Sequence, residues 1–144
     1  MTVAQRFAQV FGAVYVLVGI VGFLPPLLLG SLPAGVVGPF AGLLLGLFAV
    51  NWAHSLAHIL TGAVALATYR SHAAAKAFCL ALGVAFVGLF VLGAIFGLNF
   101  LGGLFPLNGA DNILHLLTAL VAFGFYFASR GQEGVEARRT PSAR

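Results

Sequence analysis

Gly46-Leu-Phe-Ala-Val-Asn-Trp-Ala-His-Ser-Leu-Ala-His-Ile-Leu-Thr-Gly-Ala-Val-Ala-Leu66 aligns without a gap on Gly103-Leu-Phe-Pro-Leu-Asn-Gly-Ala-Asp-Asn-Ile-Leu-His-Leu-Leu-Thr-Ala-Leu-Val-Ala-Phe123, with ten of twenty-one positions identical. The matches include Asn51 with Asn108, His58 with His115 and Thr61 with Thr118, while His54 stands opposite Asp111. Apolar helices resemble one another cheaply, but Asn, His and Thr shared in register do not follow from hydropathy. Ionisable side chains inside a bilayer are costly unless paired or solvated. Their recurrence at two matched places marks the part of the chain where function is to be sought.

Outward from this duplication, the chain is 61% hydrophobic and 7% charged, a composition of integral membrane proteins and not of soluble domains. Four apolar stretches, near 6–29, 47–69, 73–98 and 110–129, are long enough to cross a hydrocarbon core of about 30 Å at about 1.5 Å per residue. The first is too long for the apolar part of a secretory signal and lacks a small-residue cleavage site, so it reads as a retained helix. The expected fold is all-α, a four-helix transmembrane bundle over 1–130, followed by a polar, disordered cytoplasmic tail over 131–144.

A weaker similarity places Phe11-Gly-Ala-Val-Tyr-Val on Leu82-Gly-Val-Ala-Phe-Val and Gly22 on Gly93. Together the two similarities predict tandem helical hairpins, about 6–70 and 76–130, related by a pseudo-twofold axis along the membrane normal as a parallel repeat. Gly30–Pro39, apolar and with two prolines, is expected to lie along the interface. All seven basic residues fall at the N-terminus, in the turn between the second and third helices, or at the C-terminal end. The positive-inside rule then puts both termini in the cytoplasm, in a multi-pass protein of the bacterial inner membrane. The net charge of +4 suits anionic lipid, and no aromatic-interleaved basic face points to nucleic acid. Beyond the lipid bilayer, a homo-oligomer or a larger membrane complex is the partner class left open. The lone Cys79 forms no intrachain disulfide.

Asn51, His54, His58 and Thr61 are spaced three, four, three, which shares one helix face, and Asn108, Asp111, His115 and Thr118 repeat the spacing. Both stripes begin at the outer surface and descend, so a pseudo-twofold would bring them face to face in an outward-opening polar site. His72 falls in the cytoplasmic turn and is expected to be solvated. Three readings of the stripes stand. The first is structural, hydrogen bonding between helices at about 1 kcal/mol per bond. The second is a transition metal (zinc, iron or copper) held by His54, His58, Asp111 and His115, with Asn51, Thr61, Asn108, Asn112 and Thr118 behind them. The third is a b-type haem between His58 and His115. No nucleophile dyad, separate general acid/base or cofactor fingerprint accompanies them, so an enzyme ranks below a structural or binding role. The inner halves of the second and fourth helices, Gly62–Thr68 and Ala119–Ala128, are almost wholly apolar, which argues against ion passage.

The order Gly-Leu-Phe, His54-x-x-x-His58, then Phe105-Pro-Leu-Asn-Gly-Ala-Asp111-Asn112-x-x-His115 resembles the bacterial membrane family catalogued as domain of unknown function 4383. The opening helix, Phe11 to Pro25, is similar to that family's too, and the resemblance covers about 5–130. It implies a four-helix membrane protein sharing the His-x-x-x-His and Asp-Asn-x-x-His elements, and it implies no particular activity. Family members often carry Asn directly after the first histidine, where this chain has Ser55.

Overall fold

The computed structural model describes residues 1–32 and 35–132. Helix α1 (Val3–Val21) starts on a capping box: Gln5 N donates to the Thr2 hydroxyl and Thr2 N donates to the Gln5 side chain. It stops at Gly22, short of the expected residue 29, because Pro25 and Pro26 cannot continue a helical ladder and form a 3₁₀ turn instead. Helix α2 (Trp52–Thr68) starts five residues later than the apolar run suggests. Helices α3 (His72–Phe96) and α4 (Gly109–Ala128) match their expected limits to within two residues.

The chain is not wholly helical. Leu28–Leu29 (β1), Gly42–Leu44 (β2) and Phe48–Val50 (β3) form a small antiparallel sheet in the order β1-β2-β3, with Leu43 opposite Leu29 and Ala49. The β2–β3 turn has positive φ at Leu45 (53°) and Gly46 (76°), and Leu47 N donates to Leu44 O at 3.1 Å. Two consecutive left-handed residues are the geometry that matches strand twist in a tight hairpin. The ribbon has a clear physical reason. Pro25, Pro26, Gly42 and Gly46 disfavour a helix here, and the ribbon instead pairs main-chain groups that would otherwise lack partners. Between α3 and α4 the chain runs through an irregular 3₁₀ segment, Gly97–Gly103.

The helices pack as two antiparallel pairs, α1 on α2 and α3 on α4, with α1 and α3 parallel neighbours. Glycine sets the closeness of the first pair: a methyl group at Gly12 would lie 2.8 Å from Gly62 O, and one at Gly62 would lie 2.7 Å from Gly12 O. In the second pair Gly83 lies under Phe123 and Gly93 under Asn112. Alanines 4, 8, 65, 75, 119 and 122 and Cys79 fill the tight centre, and Phe7, Phe11 and Tyr15 stack along α1. Leu60, Val84, Ile95, Ile113 and Leu120 point outward, as lipid-facing residues do. Helices α1, α3 and α4 are long and apolar enough to cross a membrane. With 17 residues, α2 reaches about 25 Å.

At the end carrying the N-terminus, Gln5 Nε2 donates to Arg70 O at 3.1 Å and Val3 N donates to Gln132 Oε1 at 3.0 Å. Order therefore continues through a short 3₁₀ turn, Arg130–Gln132, into the stretch expected as tail, whose residues 133–144 lie outside those described. His72 is buried and not solvated: α3 begins at this residue, and its Nδ1 lies 2.9 Å from Thr2 Oγ1 at the start of α1.

Candidate functional site

Asn51 and Asn108, expected to stand behind a ligand shell, are the N-caps of α2 and α4. Asn51 Oδ1 accepts from His54 N at 3.0 Å and Asn108 Oδ1 accepts from Asp111 N at 2.9 Å, each side chain satisfying an amide of the first turn. Their remaining amide protons cross between the hairpins. Asn51 Nδ2 donates to Leu104 O at 2.9 Å, and Asn108 Nδ2 donates to Leu47 O at 2.7 Å. Leu47 and Leu104 are themselves matched positions of the duplicated stretch. Asn51, fully buried, also reaches Val37 O at 2.9 Å, so it binds the long loop as well.

One turn further in, the pattern inverts. Asp111 Oδ2 accepts from Ala49 N at 3.0 Å across the hairpins and from Asn108 N at 2.9 Å. The residue matched to Ala49 is Pro106, which has no amide proton. The residue matched to Asp111 is His54, whose Nδ1 lies 2.9 Å from Ala49 O and 3.2 Å from Pro106 O. Carbonyls only accept, so this nitrogen carries the proton. A carboxylate meets an N–H in one half, and a donor meets a carbonyl in the other.

The deeper contacts recur in the same pairing. Tyr15 stacks on His58 at 4.9 Å and Phe86, its match in the α1–α3 similarity, meets His115 edge-on at 5.2 Å. Gly22 is in close contact with Ser55, as Gly93 is with Asn112. A family model matches residues 5–128. The chain belongs to the family described as Domain of unknown function (DUF4383). No curated protein and no solved structure matches it. In this DUF4383 chain, Ser55 and Asn112 each sit against a glycine of the neighbouring segment, and Ser55 Oγ and Asn112 Oδ1 are buried there without a hydrogen-bond partner.

The three imidazoles do gather. The rings of His54 and His58 stack at 4.8 Å and those of His54 and His115 stand 6.5 Å apart. His58 Nδ1 lies 3.0 Å from His54 O and so is also protonated, which leaves Nε2 of His54 and His58 as the basic nitrogens. His115 Nδ1 is buried with no hydrogen-bond partner. A cavity of about 100 Å³ adjoins all three rings with Tyr15, Thr61 and Phe105, and a second of about 140 Å³ adds Asp111, Ser55 and Leu44. Thr118 lies beside Tyr15 on the α1–α4 flank, away from the first cavity.

These positions decide how the expected ligand sets fit. Asp111 Oδ2 is taken by two backbone amides, and among the described residues no three His, Cys, Asp or Glu side chains form a group arranged to hold a metal ion. The four-residue set His54, His58, Asp111 and His115 is thus split between a capping network and an imidazole cluster. Pockets for cofactor-sized molecules run to about 300–1,000 Å³, so neither cavity takes a porphyrin between His58 and His115. The sequence reading missed Tyr15 as part of the site; it could have been found as the one phenol in a largely apolar helix.

Proposed function

We propose that this DUF4383 protein is a multi-pass protein of the bacterial inner membrane whose two hairpins, about 6–70 and 76–130, form a parallel repeat with both termini in the cytoplasm. Its outward-facing His/Asp cluster locks the hairpins together and forms a small polar binding site, and it is not a catalytic centre. The observation that carries this reading is the reciprocal pair of bonds, Asn51 to Leu104 O and Asn108 to Leu47 O. Each hairpin supplies the acceptor that the other hairpin's cap requires. Matched contacts at Tyr15–His58 and Phe86–His115, and at Gly22–Ser55 and Gly93–Asn112, support the same axis. The seven cations and the apolar inner halves of α2 and α4 support the orientation and the absence of an ion path.

A test is equilibrium unfolding of the purified protein in detergent. Asn51→Ala removes a cap and leaves buried carbonyls without donors, so it should cost about 2 kcal/mol or more. His58→Gln, keeping a donor and an acceptor, should cost under about 1 kcal/mol. The lock reading is refuted if Asn51→Ala is silent.

A second reading, binding of one transition-metal ion by the three imidazoles once their rings turn toward a common point, which they do not share in this arrangement, is supported by one observation. His54 and His58 each hold Nδ1–H on a backbone carbonyl, which is how metal-ligating histidines are commonly oriented. Metal analysis of protein purified without chelator separates the readings: stoichiometric zinc, iron or copper selects the metal.

A further inference from the structure

The outer end of the imidazole cluster is covered. Leu44 and Val50 of the ribbon, with Pro106 and Leu107 ahead of α4, are buried over it. The smaller cavity is reached from the side instead. Its flank between α2 and α3 is made by Ala57 and Thr61 on one helix and Leu89 on the other, all partly exposed. The exposed residues near them, Leu60, Val64 and Ala85, are apolar, as lipid-facing residues are. On the other flank the position matched to Ala57 is Leu114, and Tyr15 is a wall shared with the α1–α4 groove. Alanine in place of leucine leaves a mouth on the α2–α3 side, level with the imidazoles.

Two observations say what fits there. His58 is partly exposed, whereas His54 and His115 are buried. Its Nδ1 proton is committed to His54 O at 3.0 Å, so Nε2 is an acceptor, and among the described residues no donor meets it. Unlike His115 Nδ1, this nitrogen is not sealed in the protein. The group that pairs with it must bring a hydrogen. The second observation is the shape of the cavity, about 100 Å³ with Tyr15, Phe86 and Phe105 as aromatic walls. A cavity of about 150 Å³ holds one benzene. This one therefore takes a single flat ring with one edge in the mouth.

We propose that the imidazole cavity takes the aromatic hydroxyl head of a membrane-soluble ligand, a phenol or hydroquinone, admitted sideways from the bilayer between α2 and α3. The O–H donates to His58 Nε2, and the ring lies among the three aromatic side chains. The assignment rests on the reading of the cluster as a binding site and on the chain spanning a bilayer. A mostly apolar pocket with a few placed polar groups is the usual form of a small-molecule site.

The test follows the thermal unfolding midpoint of the full chain in detergent, stripped of metal by a chelator, as 4-propylphenol or 4-propylanisole is added. The phenol should raise the midpoint saturably. The anisole has the same ring and chain but no O–H, and should not. His58→Phe keeps a ring against Tyr15, removes the acceptor, and should weaken the apparent affinity about tenfold, the worth of one hydrogen bond. Ala57→Leu installs the residue of the matched position, fills the mouth, and should weaken it by about tenfold or more. Val121→Leu adds bulk on the α1–α4 flank instead and should leave the affinity within about twofold. The comparison of the two probes needs no variant. Equal protection by both would overturn the hydroxyl assignment, and protection by neither would overturn the site. An affinity unchanged by Ala57→Leu would overturn entry between α2 and α3. The lock between the hairpins is judged apart from this, by Asn51→Ala. A chain that fractionates as a soluble protein without detergent would overturn the membrane reading on which sideways entry stands.

Discussion

The substitution of His54 by Asp tests whether the two halves of the chain are built on one plan. In the native arrangement His54 Nδ1–H lies between Ala49 O and Pro106 O, at 2.9 and 3.2 Å. A carboxylate in that place faces two acceptors and no donor. Leaving a buried polar group unpaired costs about 1–3 kcal/mol, and more when it is charged, so His54→Asp should lose about 3 kcal/mol or more. Pro106→Ala restores an amide proton at the position matched to Ala49, whose N–H lies 3.0 Å from Asp111 Oδ2. Alone it creates a donor without a use and should cost about 1 kcal/mol. Combined, the new N–H and the new carboxylate should pair as Ala49 and Asp111 do. A hydrogen bond to a charged group contributes about 1.5–3 kcal/mol, so the double variant should be more stable than the sum of its parts by about that much. The assay is a double-mutant cycle of four proteins unfolded reversibly in mixed micelles. Additivity within about 0.5 kcal/mol would refute the claim that His54 and Asp111 are interchangeable ends of one motif.

Further outcomes are as definite. Gly62→Ala drives a methyl into the Gly12 carbonyl and should lower stability by about 1–3 kcal/mol, whereas Gly88→Ala, with open space around it, should be neutral or slightly stabilising, as read by the same unfolding assay. A cysteine introduced by Ser31→Cys should react with an impermeant thiol reagent added to intact cells and one introduced by Ser142→Cys should not; the reverse pattern would move the histidine cluster to the cytoplasmic side. If the three imidazoles hold a metal, His115→Gln should abolish stoichiometric binding and binding should weaken as pH falls, because a ligating histidine sheds its proton first; isothermal titration with zinc reads both.

The sequence carried the helices better than their ends. Helices α3 and α4 were legible because their apolar runs are bounded by polar or glycine-rich turns. The start of α2 was not, because Leu43, Leu44, Leu45, Leu47 and Phe48 are all apolar and hide any alternation that would betray strands. Leu45-Gly46 was the available turn signal, weak because Leu rarely takes a left-handed conformation. Asn51 and Asn108 were expected behind a ligand shell, and the structure makes them the N-caps of α2 and α4. Asn followed three residues later by His or Asp is a helix-start pattern, and Asn108 with Asp111 forms a full capping box. Helical spacing together with the duplication brought His54, His58 and His115 into one cluster. It could not show that Asp111 turns instead toward Ala49 N, since that depends on the ribbon laid across the top of α4.

The exchange of cap acceptors between hairpins has a consequence for how the protein is made. When 1–70 has entered the membrane and the remainder is still on the ribosome, Asn51 has no Leu104 carbonyl to bond, and Asp111 is not yet present to receive the Ala49 amide. The early hairpin must keep those groups near the water-rich headgroups or borrow partners from the insertion machinery until its sister arrives. Those bonds form only when the two halves meet, whatever the order in which the helices insert. A nick in the α2–α3 turn should therefore be tolerated, with separately expressed halves finding each other in the bilayer.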